Sequence, residues 1–171
     1  IYNNVDCSNS NSVCNLAPSG SGTPSQYTFE FDGTFTGPSN NGRMTGSGVR
    51  LYFGGGASQS ITLGGGGQLT LSVPATGACS SSVTPDLQIV IYAPNAATVS
   101  YNGNVATQIV GNVYMPNASF ALGGNGGLNM NGTLIVSSYQ NNGGGNSGLS
   151  VNGSNTCGYT PNGSGRVVLV Q

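Results

Sequence analysis

The chain has 171 residues and a formal net charge of −1, with only three arginines, four acidic residues and no histidine or lysine. This length suits one domain covering residues 1–171. The scarcity of cations argues against a nucleic-acid partner, because phosphate binding requires clustered Lys and Arg. The sequence also has no apolar run long enough to cross a bilayer, so we expect no membrane span in this chain.

The N-terminal segment, residues 1–26, is rich in Ser, Asn and Gly and is predicted to be a capping loop that contains Cys7 and Cys14. Cys79 and Cys157 bring the cysteine count to four, and an even count in so Asn- and Ser-rich a chain favours disulfides formed in an oxidising compartment. Three pairings are open, and free buried thiols are the alternative. A zinc site is not expected, because no CxxC spacing or histidine is present.

Residues 27–35, YTFEFDGTF, alternate between apolar and polar side chains and predict a strand. From there to residue 138, short apolar runs recur. They end at Gly54, Pro74, Pro94, Pro116 and Ser138. The steps between these ends are about 20 to 22 residues, which is within the range of solenoid repeats.

Aligning the runs on their ends predicts which side chains face inward and which face outward. The inward column is expected to hold Leu51, Leu71, Ile91, Val113 and Ile135. One outward column is expected to hold Tyr52, Ser72, Tyr92, Tyr114 and Val136, and the other Arg50, Thr70, Val90, Asn112 and Leu134. Pro94 and Pro116 are expected at corners, where a missing backbone amide costs little, and Asn and Gly near them tolerate the positive φ that corners need.

The repeat predicts an all-β fold, a right-handed parallel β-helix (solenoid) with a Cys-containing N-terminal cap. The coils are expected over residues 27–138. A Gly- and Asn-rich loop followed by a closing strand, RVVLV, is expected over residues 139–171. An antiparallel β-sandwich is the alternative, because it also uses regular short strands.

The repeat also resembles a known family over residues 27–170. The runs GVRLYFGGG, ITLGGGGQLTLSVPATG, LQIVIYAPN, GNVYMPNASFALGGN and LNMNGTLIVSS are similar to the C-terminal β-helical region of TadG-like proteins, among the Flp (Tad) pilus-associated proteins of bacteria. Similar regions occur in PilX-type minor pilins and in "choice-of-anchor A" surface proteins. The resemblance implies an extracellular protein of the bacterial cell surface without a catalytic role.

Two sets of residues are candidate surface sites. If the outward assignment is right, Tyr52, Tyr92 and Tyr114 form an aromatic stripe that stacks on sugar rings or packs against another subunit. Swapped inward and outward columns, or a cap over the stripe, are the alternatives. Four Asn-x-Ser/Thr sequences are candidate glycosylation sites, at Asn117, Asn131, Asn152 and Asn162.

Catalytic and metal sites have weaker support in the sequence. Glu30 and Asp32 share a strand face and are a candidate carboxylate pair for polysaccharide hydrolysis, although a solvated pair beside Arg43 or Arg50 is the simpler interpretation. Without His or Lys, nucleophilic acyl chemistry lacks a general base. Asp6, Asp32 and Asp86 follow no calcium-binding motif. We therefore expect no cofactor and no metal.

The sequence thus predicts a non-enzymatic extracellular structural protein, a cell-surface or pilus-associated fibre subunit. Its partners would be copies of itself or other pilus and surface proteins. The alternative is an adhesin-type module that binds carbohydrate or another surface on its tyrosine face. A polysaccharide-degrading β-helix enzyme is the third hypothesis.

Overall fold

The computed structural model describes residues 2, 4–17, 27–56, 59–64, 66–73, 89–103, 107–145, 147–152 and 166–169. Every regular element within these ranges is a β-strand, and all ladders between the named strands are parallel. Each strand pairs with the equivalent strand of the coil before it and the coil after it, which stacks the chain into a parallel β-solenoid of about five turns. The predicted fold is therefore confirmed, and the β-sandwich alternative is wrong.

The strands lie in three rows along the solenoid axis. Row A contains β3 (Tyr27–Phe31), β6 (Val49–Phe53), β9 (Ile89–Tyr92), the first half of β12 (Asn112–Gly124), the first half of β14 (Thr133–Asn141) and β16 (Arg166–Leu169). Row B contains β1 (Val5–Asp6), β4 (Phe35–Thr36), β7 (Ser60–Gly64), β10 (Thr98–Gly103) and the second halves of β12 and β14. Row C contains β2 (Val13–Leu16), β5 (Arg43–Ser47), β8 (Gln68–Ser72), β11 (Thr107–Val110), β13 (Leu128–Asn131) and β15 (Leu149–Asn152).

The core lies between the rows and follows from the period-two alternation of each strand. In β6, for example, Val49, Leu51 and Phe53 are fully buried, whereas Arg50 and Tyr52 are half-buried on the outer side. Outside a few bulges, the strand pairs are in register, so most apolar residues of one coil lie over apolar residues of the next. The result is one continuous hydrophobic core along the described solenoid.

Three phenylalanines dominate the core of the first coils. Phe31 lies 5.0 Å from Phe35 and 5.3 Å from Phe53 between ring centroids, and Phe35 meets Phe53 edge-on at 5.2 Å. Tyr2 packs its ring on this cluster from the N-terminal side, 5.8 Å from Phe31. Because Phe31 and Phe53 belong to neighbouring coils, the cluster joins consecutive coils as well as rows A and B.

The coils are less uniform than the predicted spacing of about 20 to 22 residues. Leu51 pairs with Ile91 and Ile91 pairs with Val113, so the coil that begins at Leu51 is nearly twice as long as the next one. Leu71 was expected in the same column as Leu51, and this expectation is wrong. It is buried, but it lies in row C opposite Ile109, because β6, β7 and β8 together form a single coil.

The predicted register of β14 is wrong by one residue. Val113 pairs with Leu134, so Leu134 and Val136 are buried, whereas Ile135 lies on the outer side opposite Tyr114. A one-residue slip exchanges the two faces of a strand completely. The better marker of register is the glycine before each strand, since Gly111 and Gly132 both adopt positive φ.

A second local correction concerns β9. Val90 was expected outside, but it is fully buried, whereas Ile89 is half-buried. The pairing with β12 shifts here, since Asn112 pairs with Ile89 while Val113 pairs with Ile91. Such a bulge places two consecutive side chains where an ideal strand places one.

The terminal segments contribute more strands than expected. Residues 1–26 were predicted to form a loop, but β1 and β2 in this segment pair with β4 and β5 and begin the solenoid. The run 27–35 divides into β3 and β4, which lie in different rows. Beyond residue 138, β14 continues to Asn141 and β15 adds a further strand, while the expected closing strand is present as β16.

The corrected register of β14 can be tested by alanine substitution. We expect Leu134→Ala to lower the free energy of unfolding by about 2 to 5 kcal/mol, because it leaves a cavity in the core. The adjacent change Ile135→Ala should cost less than about 1 kcal/mol, because this side chain lies on the outer surface. Urea denaturation of both variants provides the measurement, and equal losses would contradict the register.

Candidate interaction surface

Three tyrosines on the outer side of row A form a stacked ladder, called here the tyrosine ladder: Tyr52, Tyr92 and Tyr114. The ring centroids of Tyr52 and Tyr92 are 5.5 Å apart with planes 13° from parallel, and those of Tyr92 and Tyr114 are 5.4 Å apart at 11°. Strand register produces this stack, since Tyr52 pairs with Tyr92 and Tyr92 with Tyr114. All three side chains are half-buried.

The stacking determines which parts of the rings a ligand could reach. A sugar ring placed between two tyrosines would need centroids about 7 to 8 Å apart, because each carbon–carbon contact takes about 3.5 to 4.0 Å. The observed separations are shorter. The inner ring faces therefore cover one another, and the ladder presents ring edges to its surroundings.

The ends and the side of the ladder have different chemistry. Glu30 precedes Tyr52 in the same column, and Ile135 follows Tyr114. Arg50 lies one outward position before Tyr52, and its Nε donates a hydrogen bond of 3.4 Å to the carbonyl of Ile89 on the next coil. The ladder thus has an acidic end, an apolar end and a guanidinium that holds neighbouring coils together.

The structure brings the candidate carboxylates Glu30 and Asp32 together at the acidic end of the ladder. A Cβ at Gly54 would lie 2.9 Å from Asp32 Oδ1, 3.5 Å from Glu30 Oε1 and 3.0 Å from Tyr52 Cε1. The two carboxylates therefore converge beside the tyrosine ring, and only glycine leaves them room. Both are at the surface, with Asp32 exposed and Glu30 half-buried, so hydrolysis by this pair stays a prediction.

One of the predicted disulfide pairings is present. Cys7 and Cys14 are bonded, with their Cα atoms 6.3 Å apart, and join the segment after β1 to β2 within the first coil. Cys7 is buried against the core. Cys79 and Cys157 lie outside the described residues, and a bond between them stays a prediction.

The candidate glycosylation sites lie in different surroundings. Asn117 is exposed at a corner, and its Nδ2 donates a 2.7 Å hydrogen bond to the carbonyl of Pro94 at the corresponding corner of the preceding coil. Asn131 is half-buried and Asn152 is exposed, both on row C. Asn162 lies outside the described residues. Glycosylation stays a prediction at all four.

The described ranges contain no cluster of side chains suited to bind a metal ion. No group of three or more His, Cys, Asp or Glu side chains comes together among those residues. Asp6 instead accepts hydrogen bonds from the hydroxyl and the backbone amide of Ser8, which lower its pKa. Asp86 lies outside the described residues.

Several polar groups have structural roles that the repeat pattern did not indicate. Gln59 is buried, and its Nε2 donates 2.9 Å hydrogen bonds to the carbonyls of Phe31 and Gly33, which fixes the turn after β3. The Tyr101 hydroxyl is hydrogen-bonded to Thr107 inside the core, and burial raises the pKa of this tyrosine. These polar residues are distinguished only by their burial. The alternation of polar and apolar residues in the sequence does not reveal that burial.

Comparison of the chain with protein-family models, with curated proteins and with solved structures finds no match. The likeness to TadG-like and related surface proteins therefore stays a resemblance. In the described part of the chain, no helix is long and apolar enough to span a membrane. The structure belongs to the class of parallel β-solenoids and carries a stacked column of tyrosines on one row of strands.

The contribution of the tyrosine ladder can be measured at its centre. We expect Tyr92→Ala to lower the free energy of unfolding by about 1 to 3 kcal/mol, because it removes two stacked pairs of about 0.5 to 1.5 kcal/mol each. Tyr92→Phe is the matched control and should change the stability by less than about 0.5 kcal/mol, since the stacking remains. Urea denaturation followed by circular dichroism distinguishes the two. An alanine variant as stable as the phenylalanine variant would show that the stack contributes little.

Proposed function

We propose that this chain is a non-enzymatic extracellular structural protein, a β-solenoid subunit at the bacterial cell surface or in a pilus-like fibre. The main observation in support of this proposal is the direction in which the aromatic side chains of the chain contact one another. The tyrosine ladder and the contact between Phe31 and Phe53 both join one coil to the next along the solenoid axis. Because a coil contacts only its neighbours, these are the contacts that strengthen a solenoid against extension.

Two further properties support an extracellular location and a role in assembly. The bond between Cys7 and Cys14 is typical of proteins that fold in an oxidising compartment. The net charge of −1 gives little electrostatic repulsion between copies, and near-neutral proteins associate more readily. The resemblance to pilus-associated and surface proteins agrees with both properties.

The localisation can be tested on intact cells of the source organism. We expect an antibody raised against this chain to label the cell surface or extended filaments in immunogold electron microscopy. Brief protease treatment of intact cells should remove the label, while an antibody against a cytosolic protein serves as the control for cell integrity. Label confined to the cytoplasm would contradict the proposal.

Carbohydrate binding is the second candidate, favoured by the carboxylates that meet the edge of Tyr52 beside Gly54. Because the inner ring faces are covered, a sugar would have to approach ring edges and these carboxylates. A glycan array decides between the two functions. The structural role predicts no binding above background, whereas an adhesin would bind a defined glycan and lose it in the Glu30→Gln, Asp32→Asn double variant.

A further inference from the structure

The two ends of the described solenoid differ by one strand. At the C-terminal end, rows B and C finish with β14 and β15, but row A continues one coil further with β16. At the N-terminal end, rows B and C begin with β1 and β2, whereas the described residues of row A ahead of β3 form a single isolated bridge, between Tyr2 and Phe31. One end thus carries an extra strand in the same row in which the other end lacks one.

We propose that the partner of this solenoid is a second copy of the chain, stacked head to tail so that β16 of one copy completes the first coil of the next. In this arrangement β16 pairs with β3, β14 pairs with β1, and β15 pairs with β2. The proposal rests on the structural function above and specifies its assembly contact. The new strand replaces the single Tyr2 bridge, which is the weakest pairing in row A.

Continuing the strand register across the junction matches side chains of the same kind in row C. The row C pairings, taken in sequence, place Cys14 in the column of Leu149, Asn15 in that of Ser150 and Leu16 in that of Val151. A β2 strand laid on β15 would therefore put apolar residues over apolar residues and a polar residue over a polar one.

Row B continues in the same way. Val5 belongs to the column that passes through Phe35 and ends at Tyr139, and Asp6 belongs to the column that ends at Gln140. The junction would thus place Val5 against the half-buried ring of Tyr139. In this row, the apolar Val5 would face the aromatic Tyr139, and the polar Asp6 would face the polar Gln140.

The core itself is incompletely covered at the two ends. In the described part of the chain, seven hydrophobic residues pack against the core but are only partly buried, and all belong to the terminal coils: Val5, Cys14, Leu16, Phe29, Tyr139, Leu149 and Val151. Among the described residues, the exposed large hydrophobics are Tyr2 at 51% and Val13 at 60%, both in the first coil. A cavity of about 270 Å³ opens beside Tyr2 and is lined by Tyr2, Val5, Leu16 and Phe29 among others.

In row C, the two edge strands lack the features that normally prevent such pairing. Natural edge strands are protected by charged residues, proline or bulges. Neither β2, with the sequence VCNL, nor β15, with LSVN, contains a charge or a proline.

A cysteine pair tests the contact directly. Asn15 and Ser150 share a column but lie at opposite ends of one copy, about 24 Å apart at roughly 4.8 Å for each coil step. Asn15→Cys with Ser150→Cys can therefore form a disulfide only between copies. We expect dimers and higher multimers on non-reducing gels of the oxidised protein, lost on reduction. Gln108→Cys with Asn15→Cys is the matched control, on the same outer column, and should remain monomeric on the gel.

Charge variants test the same contact in solution. By sedimentation velocity, Ser150→Lys should raise the dissociation constant by about tenfold, which corresponds to about 1.4 kcal/mol. Asn129→Lys adds the same charge to an inner strand of row C and should leave association unchanged. Adding Asn15→Asp to Ser150→Lys should restore association, because the two charges face each other at the junction.

The outcomes separate this proposal from the proposed function. The head-to-tail contact is overturned if the wild-type protein stays monomeric at all concentrations. It is also overturned if the Ser150→Lys variant associates as strongly as the wild type. If either result is obtained but the immunogold experiment labels the cell surface, the proposed structural function is retained and the partner is a different molecule. Cross-linking in the control pair at the level of the test pair would also overturn the contact, since it would indicate lateral association.

Discussion

The structure depends on one constraint, which is that the inward columns must stay apolar from coil to coil, except where a buried hydroxyl such as that of Thr107 has a hydrogen-bond partner inside the core. In a parallel solenoid each backbone strand finds its hydrogen-bond partners in the coils above and below, so no coil can choose its register independently. Leu51, Ile91, Val113 and Leu134 satisfy this constraint in row A, although the coils between them differ in length. The outer surface inherits the same order, which is why three tyrosines far apart in sequence become one stack.

Much of the fold could be predicted because alternation is a local property. The inner and outer faces of β6 and β12 follow from their own residues, and so does the presence of corners at Pro94 and Pro116. Coil length could not be predicted in the same way. Aligning Leu71 with Leu51 fitted a regular step, but that step joined row A to row C. Pairing between coils is a long-range property, and one sequence contains no direct record of it.

The candidate surface was predicted in part for the same reason. The outward position of Tyr52, Tyr92 and Tyr114 followed from alternation, whereas the stacking of their rings depends on side-chain geometry that alternation does not specify. The ladder continues with Ile135 instead of Val136, because Val113 pairs with Leu134 and not with Ile135. Gln59 was missed altogether, since a buried amide that fixes a turn has no periodic signal.

The coil between Tyr52 and Tyr92 also has a consequence for how such a protein changes over evolution. The chain ends β8 at Ser72 and returns to row A at Ile89, and the rings of Tyr52 and Tyr92 still stack as closely as those of the next pair. The entropy of closing an excursion rises only slowly with its length. The connection between β8 and β9 can therefore accept new sequence without disturbing the scaffold, which makes it a natural point for diversification and for the display of grafted peptides.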